Sequence, residues 1–183
     1  MRVVRVLRSV EEAPSVRTIY FRDELCALAT PGQFIMVYVP GLEEVPMSLS
    51  TIGPDGLVSI TVKVVGPTTR ALSELRPGSK LGIRGPFGTG FRLEGRKPLL
   101  VGAGTGAAPI MPLAELMASA GLRPTLVLAA KTEREIIFLE RAERALGPDG
   151  VKVATEDGSL GFKGLATDLV AELLSKGHYL SLI

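Results

Sequence analysis

Residues 98–109 of this 183-residue chain run Pro98-Leu99-Leu100-Val101-Gly102-Ala103-Gly104-Thr105-Gly106-Ala107-Ala108-Pro109. The apolar start of this stretch predicts a buried strand, and the glycines let the backbone turn sharply and come close to a ligand. The helix expected next would offer unpaired N–H groups and the positive end of its dipole. A strand, a Gly-rich loop and a helix in this order are typical of a dinucleotide diphosphate site, although a plain strand-to-helix turn is the alternative. We therefore assign cofactor binding to Gly102, Gly104, Thr105 and Gly106.

The residues after this loop continue the alternation of helices and strands. Apolar residues at helical spacing predict a helix that Gly121 would end; they are Ile110, Leu113, Ala114 and Met117. Later patterns predict strands at 125–130 and 151–155 and helices at 136–146 and 165–176. This order implies a parallel sheet with right-handed crossovers, and hence a Rossmann-like domain over residues 96–183.

Residues 1–95 show a different periodicity. Side chains alternate along the chain, with many β-branched residues, at 2–8, 15–21 and 57–65, and residues 33–39 form an apolar run. This period of two predicts strands, and a short helix is expected at 69–75. Turn sequences rich in Gly and Pro separate the strands. Short strands at this spacing are typical of a small antiparallel barrel, which we expect to have six strands.

Composition excludes several classes of protein. Hydrophobic residues make up 46% and the net charge is +2, which is typical of a globular domain and too mild to indicate nucleic-acid binding. The single cysteine, Cys26, can form neither an internal disulfide nor a cysteine-ligated cluster, and we expect it to be a small core or surface residue. We expect no signal peptide, no membrane span and a cytoplasmic location. No Ser–His–acid set or carboxylate pair suggests hydrolysis, so no catalytic residue is assigned.

Six segments in register give the chain a family resemblance. They are Pro31-Gly32-Gln33-Phe34, Pro46-Met47-Ser48-Leu49, Gly66-Pro67-Thr68-Thr69, Gly85-Pro86-Phe87-Gly88 with Gly90-Phe91, Gly102 to Pro109, and Thr155-Glu156-Asp157-Gly158-Ser159 with Gly161 and Gly164. In this order they resemble the ferredoxin–NADP reductase superfamily, and within it the electron-transfer subunits of dihydroorotate dehydrogenase B. The similarity extends from residue 1 to about residue 176.

The resemblance implies an FAD-binding barrel over residues 1–95 and an NAD-binding domain over residues 96–183. Pro46, Met47 and Ser48 would then lie along the flavin. Thr61, Val62 and Lys63 would line its other contacts, and Thr68 and Thr69 would meet the pyrophosphate. The implied partner is a catalytic dihydroorotate dehydrogenase subunit that carries FMN, with electrons passing through FAD to NAD(H). The choice between NAD and NADP stays open, because the second strand ends Ala129-Ala130-Lys131-Thr132 without the usual acidic residue.

Three departures from the family pattern stand out. Val45 replaces the arginine that precedes Pro46, so Lys63 or Arg70 would have to supply a cation. Thr68 replaces the second glycine of the phosphate-binding turn. The family also continues past residue 183 to a Cys-rich segment that holds a 2Fe–2S centre, which needs four thiolates that this sequence does not contain. We therefore expect a C-terminally truncated, incomplete Rossmann-like domain without that cluster.

These observations leave three functional hypotheses. The first is an electron-transfer flavoprotein subunit that works with a dihydroorotate-oxidising partner in pyrimidine biosynthesis. The second is an NAD(P)H-dependent flavin or ferredoxin reductase, or a hydrogenase γ-type subunit. The third is an inactive, truncated remnant that only binds a nucleotide.

Overall fold

A computed structural model of the chain describes residues 1–92, 97–176, 179, 181 and 182. The chain forms two compact units, Met1–Phe91 and Arg92–Ile183. The boundary predicted near residue 95 falls among residues 93–96, which lie outside the described residues. Within the described part of the chain, no helix combines the length and apolar character needed to cross a bilayer.

The first unit is built on a curled antiparallel sheet of seven strands in the order β1-β7-β4-β5-β6-β3-β2. The strands are β1 (Arg2–Arg5), β2 (Arg8–Ala13), β3 (Val16–Arg22), β4 (Phe34–Tyr38), β5 (Val45–Ile52), β6 (Leu57–Lys63) and β7 (Lys80–Phe87). Two short helices accompany them, α1 (Glu24–Ala27) and α2 (Pro67–Ser73). The predicted antiparallel barrel class is confirmed, but the sheet has seven strands and not six.

The extra strand arises because residues 2–8 do not form one strand. The amide of Val6 donates to the carbonyl of Ser79 beside β7, whereas the amide of Leu7 donates to the carbonyl of Tyr20 in β3. The chain thus crosses from one edge strand of the sheet to the other within two residues. Because β1 and β2 are consecutive, this crossing draws the two sheet edges together, as barrel closure requires.

The core of this unit lies on the inner face of the curled sheet. Its largest fully buried side chains include Phe21, Ile19, Ile35, Leu49 and Ile60. Cys26 of α1 is also completely buried in this core. Desolvation by burial raises the pKa of its thiol to about 12.

Cys26 is therefore expected to be inert in the native protein, because the reactive species is the thiolate. We predict no labelling by iodoacetamide at pH 8 in buffer, and complete labelling after unfolding in guanidinium chloride. Mass spectrometry of the intact chain measures both. Rapid labelling of the native chain would contradict the buried position.

The second unit contains a parallel sheet in the order β11-β10-β9-β8-β12. Its strands are β8 (Pro98–Ala103), β9 (Thr125–Ala130), β10 (Val151–Thr155), β11 (Phe162–Lys163) and β12 (Ser181–Leu182), and its helices are α3 (Ala107–Ser119), α4 (Leu139–Leu146) and α5 (Ala166–Ser175). Every pairing in this sheet is parallel. The predicted parallel α/β class is confirmed, with β9 and β10 at the predicted bounds.

One helix of this unit begins later than the sequence pattern predicts. Residues 136–146 were predicted to be helical, but a 3₁₀ turn at Glu133–Glu135 comes first and α4 starts at Leu139. Phe138 has a left-handed backbone with φ of 64° and only 6% of its surface is exposed. Two residues of the apolar run 136–138, Ile137 and Phe138, are thus buried in the segment before the helix starts.

Candidate functional site

The sheet of the first unit opens between β5 and β6. Pairing of these two strands runs from Ile52↔Val58 to Leu49↔Ile60 and stops there. The next three rungs would join residues 46–48 to residues 61–63, and no such pairing is found among the described residues. Beyond this point residues 45–48 pair only with β4, and residues 61–63 pair only with β3.

This opening brings together the six strand residues that the sequence analysis assigned to flavin binding. Pro46, Met47 and Ser48 lie on one side of it, and Thr61, Val62 and Lys63 lie on the other. Backbone N–H and C=O groups along both strand edges lack a strand partner there, which makes them available to a ligand. Proline at position 46 suits such an edge because it has no N–H to satisfy.

The side chains at the opening differ in what they can offer. Pro46 and Lys63 are exposed, and Ser48 is half-buried. Val62 is completely buried in the core and Met47 packs against that core. Any ligand contact from Val62 must therefore come from its backbone.

Thr61 belongs to a buried chain of four hydroxyls. Its Oγ1 lies 2.9 Å from Oγ1 of Thr18 and donates to Oγ of Ser50 at 2.9 Å, and Ser50 Oγ lies 2.8 Å from Ser59 Oγ. The register between β5 and β6 shifts between Leu49 and Thr51, close to the last paired residues. Ser50 lies at this irregularity, and its side chain joins the hydroxyl chain. The hydroxyl of Thr61 thus holds the edge of the opening in place.

Helix α2 begins four residues after β6 ends. Gly66 is its N-cap, with an extended backbone (φ of −167°), and a Cβ at this position would meet nothing within 4 Å. Thr69 Oγ1 accepts the amides of Val65 and Gly66 at 2.9 Å each and donates to the carbonyl of Gly66 at 3.0 Å. The Thr69 hydroxyl is fully used in this cap, so that Thr69 can meet a ligand only through its amide.

The Gly-rich loop of the second unit joins β8 to α3 through a 3₁₀ turn at Gly104–Gly106. A Cβ on Gly102 would lie 2.7 Å from Cα of Ala107, so this glycine allows the helix to approach the strand. Gly104 has a left-handed φ of 52°, and neither Gly104 nor Gly106 has a neighbour within 4 Å of an added Cβ. The loop therefore combines one tightly packed glycine with two that face open space, and Thr105 lies between those two.

The strand order of the second sheet places this loop at a topological switch point. The chain progresses from β8 through β9 and β10 to β11 on one side, whereas β12 pairs with β8 on the other. Ligands of open α/β sheets bind outside the carboxyl ends of the strands where the order reverses. The loop follows the carboxyl end of β8, where that rule expects a dinucleotide.

The position of the missing family arginine is filled by an apolar side chain. Val45 is half-buried and packs against the core of the first unit. The two cations considered as substitutes, Lys63 at the end of β6 and Arg70 in α2, both have exposed side chains.

Two aromatic residues next to the opening were not assigned to the site from sequence. Phe34 pairs with Ser48 across β4 and β5, and its ring lies 5.9 Å from that of Phe87 in β7. Phe34 lies in the apolar run 33–39, which gives no sequence signal for its outward position.

Comparison with known proteins identifies the family. No protein-family model matches the chain. A probable dihydroorotate dehydrogenase B (NAD(+)) electron transfer subunit of Methanothermobacter thermautotrophicus is 42% identical over 174 residues, which are 93% of this chain and 64% of that protein. The protein of the same name from Thermococcus kodakarensis is 36% identical over 93% of this chain and 69% of its own length.

The chain belongs to the family of dihydroorotate dehydrogenase B electron-transfer subunits. The resemblance inferred from six sequence segments is thereby confirmed. The chain spans 64% and 65% of the length of the relatives from M. thermautotrophicus and Methanocaldococcus jannaschii.

Solved structures agree with this assignment. A structure of the NADH-dependent reduced ferredoxin-NADP oxidoreductase, studied for flavin-based electron bifurcation, matches with a TM-score of 0.82 and 30% identity over 95% of this chain and 64% of that one. The flavohem-like FAD/NAD-binding domain of nitric oxide dioxygenase from Vibrio cholerae matches with a TM-score of 0.82 over 98% of both chains. That second match is 21% identical and shows a common fold.

Proposed function

We propose that this chain is the FAD- and NAD-binding part of an electron-transfer flavoprotein, which passes electrons from a dihydroorotate-oxidising partner through FAD to NAD. The observation that carries the proposal is the opening between β5 and β6. It unites two sets of residues, 46–48 and 61–63, that family resemblance had linked to the flavin independently of any geometry. FAD, when bound, would supply the redox chemistry, since the described residues offer no acid–base or nucleophilic set for it.

The residues at the opening fit a flavin in three respects. Free backbone groups on the two strand edges provide donors and acceptors for the polar edge of a ring system. Ser48 is half-buried and adds a hydroxyl, and Lys63 adds an exposed cation. The open space at Gly66 lets a phosphate approach the amides of Thr68 and Thr69.

The roles of the chain's own residues are to bind and to orient. The strand edges would fix the flavin ring, and the Gly102–Gly106 loop would hold the diphosphate of the nicotinamide dinucleotide. Lys63 or Arg70 would supply the positive charge that Val45 cannot provide. A 2Fe–2S centre would need thiolates from outside this sequence, because Cys26 is the single cysteine and is buried.

Two glycine substitutions test both cofactor sites. Gly66→Ala and Gly106→Ala add a methyl group where the fold has room and where φ is −167° and −61°. Each variant should therefore fold, while the methyl group blocks the close approach of a diphosphate. We expect Gly66→Ala to weaken FAD binding about tenfold or more and leave NADH binding unchanged, and Gly106→Ala to do the reverse, a difference of about 1.4 kcal/mol per site.

Flavin fluorescence titration measures the first affinity, and equilibrium dialysis with NADH and NADPH measures the second. Each variant serves as the control for the other. A wild-type chain that takes up no FAD would contradict the flavoprotein assignment. Parallel losses at both sites in one variant would show a folding defect and would contradict the assignment of two separate sites.

A second candidate function is that of an NAD(P)H-dependent reductase of ferredoxin. The 30% identity to the NADH-dependent ferredoxin-NADP oxidoreductase favours it. Reconstitution with an FMN-containing dihydroorotate dehydrogenase subunit separates the two. Dihydroorotate-dependent reduction of NAD supports the first function, whereas reduction of ferredoxin by NADH without that subunit supports the second.

A further inference from the structure

An aromatic pair lies on the outer face of the first unit, with Phe34 one strand and Phe87 two strands away from β5, which borders the opening. The ring centroids of Phe34 and Phe87 are 5.9 Å apart and the rings are tilted by 46°. Phe87 is 39% exposed. An aromatic pair with one ring open to solvent provides a flat apolar surface at the end of the sheet.

The strand register fixes the position of this pair relative to the opening. Ile35 and Val37 of β4 are completely buried in the core, so Phe34 lies on the opposite, outer face. Phe34 is the direct neighbour of Ser48 in β5 and of Phe87 in β7. Directly opposed residues of an antiparallel pair bring their Cβ atoms to within about 5 Å. The pair thus continues the outer surface of residues 46–48.

Hydrogen bonds on both flanks hold the pair in place. Gln33, just before Phe34, donates from Nε2 to the carbonyl of Gly88, just after Phe87, at 2.8 Å. The Oε1 atom of Gln33 accepts the amide of Thr30 at 2.8 Å, and the amide of Phe91 donates to the carbonyl of Pro31 at 2.7 Å. The Gln33 hydrogen bond to Gly88 therefore joins the backbone next to Phe34 to the backbone next to Phe87.

We propose that Phe87, supported by Phe34, forms the aromatic surface on which the planar ring of the flavin rests. The inference depends on the proposed function, because it extends the flavin site from the β5–β6 opening across β4 to β7. Stacking against a ring explains why a large aromatic residue is exposed on this face of the sheet, where it would otherwise cost solvation. The platform makes Phe87 a positioning residue for the cofactor.

The test compares Phe87→Leu with Phe87→Tyr in the full chain. Leucine keeps an apolar side chain but removes the aromatic face, and tyrosine keeps that face. We expect Phe87→Leu to weaken FAD binding about five- to tenfold and to shift the visible absorption band of bound flavin, the effect of losing one aromatic contact. Phe87→Tyr should retain wild-type affinity.

The matched control is Tyr20→Leu, which removes a half-buried aromatic residue from β3, three strands away from β4. FAD affinity should not change in that variant. Wild-type affinity and an unchanged flavin absorption band in Phe87→Leu would overturn the platform and leave the flavin site at the opening intact. Equal losses in Phe87→Leu and Tyr20→Leu, or a loss of self-association in Phe87→Leu with unchanged FAD affinity, would also overturn it. A wild-type chain that binds no FAD would overturn the proposed function itself.

Discussion

Asp23→Ala is expected to lower the free energy of unfolding by about 2–4 kcal/mol, because the Asp23 carboxylate has two structural roles. It accepts Nε of Arg2 at 2.7 Å and Nη2 of Arg2 at 3.0 Å, and it caps α1 by accepting the amide of Cys26 at 2.8 Å. The carboxylate is 7% exposed, and Arg2 is 33% exposed and also donates to the carbonyl of Gly85. Removing the carboxylate leaves a partly buried guanidinium without its counter-charge.

Glu172→Ala is the matched control, since Glu172 of α5 forms an exposed ion pair with Lys176, the residue that follows this helix. That variant should change the free energy of unfolding by less than about 0.5 kcal/mol. Urea unfolding followed by circular dichroism measures both variants. An Asp23→Ala protein as stable as wild type would show that β1 and α1 do not depend on this contact.

The same contact predicts how stability depends on pH. Burial raises the pKa of the Asp23 carboxyl, but hydrogen bonds from Arg2 and from the Cys26 amide outweigh it, so the pKa lies below its ordinary value. A carboxyl with a lowered folded-state pKa stabilises the fold above its unfolded pKa of about 4, and that stabilisation is lost as the pH falls further. The stability gap between wild type and Asp23→Asn should therefore be constant from pH 7 to pH 5 and shrink towards pH 3.

Gly102→Ala is expected to destabilise the second unit by about 2–3 kcal/mol and to abolish NADH binding. The added methyl carbon would lie 2.7 Å from Cα and 2.9 Å from Cβ of Ala107, so the start of α3 would have to move away from β8. Because the Gly-rich loop connects these two elements, its amides would shift with the helix. We expect this loss of stability because the added methyl group meets the backbone of Ala107, which moves less readily than the end of a flexible side chain.

Gly106→Ala is the natural control, four residues further along the same loop. An added Cβ there meets nothing within 4 Å and the backbone is already helical (φ of −61°), so its free energy of unfolding should stay within about 1 kcal/mol of wild type. Both variants should bind NADH more weakly, but only Gly102→Ala should unfold clearly earlier in urea. Equal stability of the two variants would contradict the close packing of α3 on β8.

Local patterns were sufficient where an element is defined by its own residues. Strands β9 and β10 have the predicted bounds, because each is a short apolar run between turn residues and is buried in a parallel sheet. Gly121 was expected to end α3, and it follows the helix closely with φ of 77° while its amide donates to the carbonyl of Ala118. In these cases the local conformational preference of the residues agrees with their conformation in the tertiary structure.

Patterns failed where the partner of a residue is distant in sequence. Residues 2–8 look like one strand, but Val6 and Leu7 bond to opposite ends of the sheet. The resemblance links Thr69 to a pyrophosphate, and only the fold shows that its hydroxyl caps α2. Phe34 and Phe87 become neighbours only after β4 and β7 have paired.

The amino-acid sequence by itself determined the two fold classes, the Gly-rich turn after β8 and membership of an electron-transfer family. These depend on periodicity and on short motifs, which act within a few residues. Only the tertiary structure decided that β5 and β6 separate after Leu49 and Ile60, which hydroxyls are already bonded, and that an aromatic pair adjoins Ser48. Strand register and hydrogen-bond partners depend on contacts between distant segments, and no local pattern specifies them.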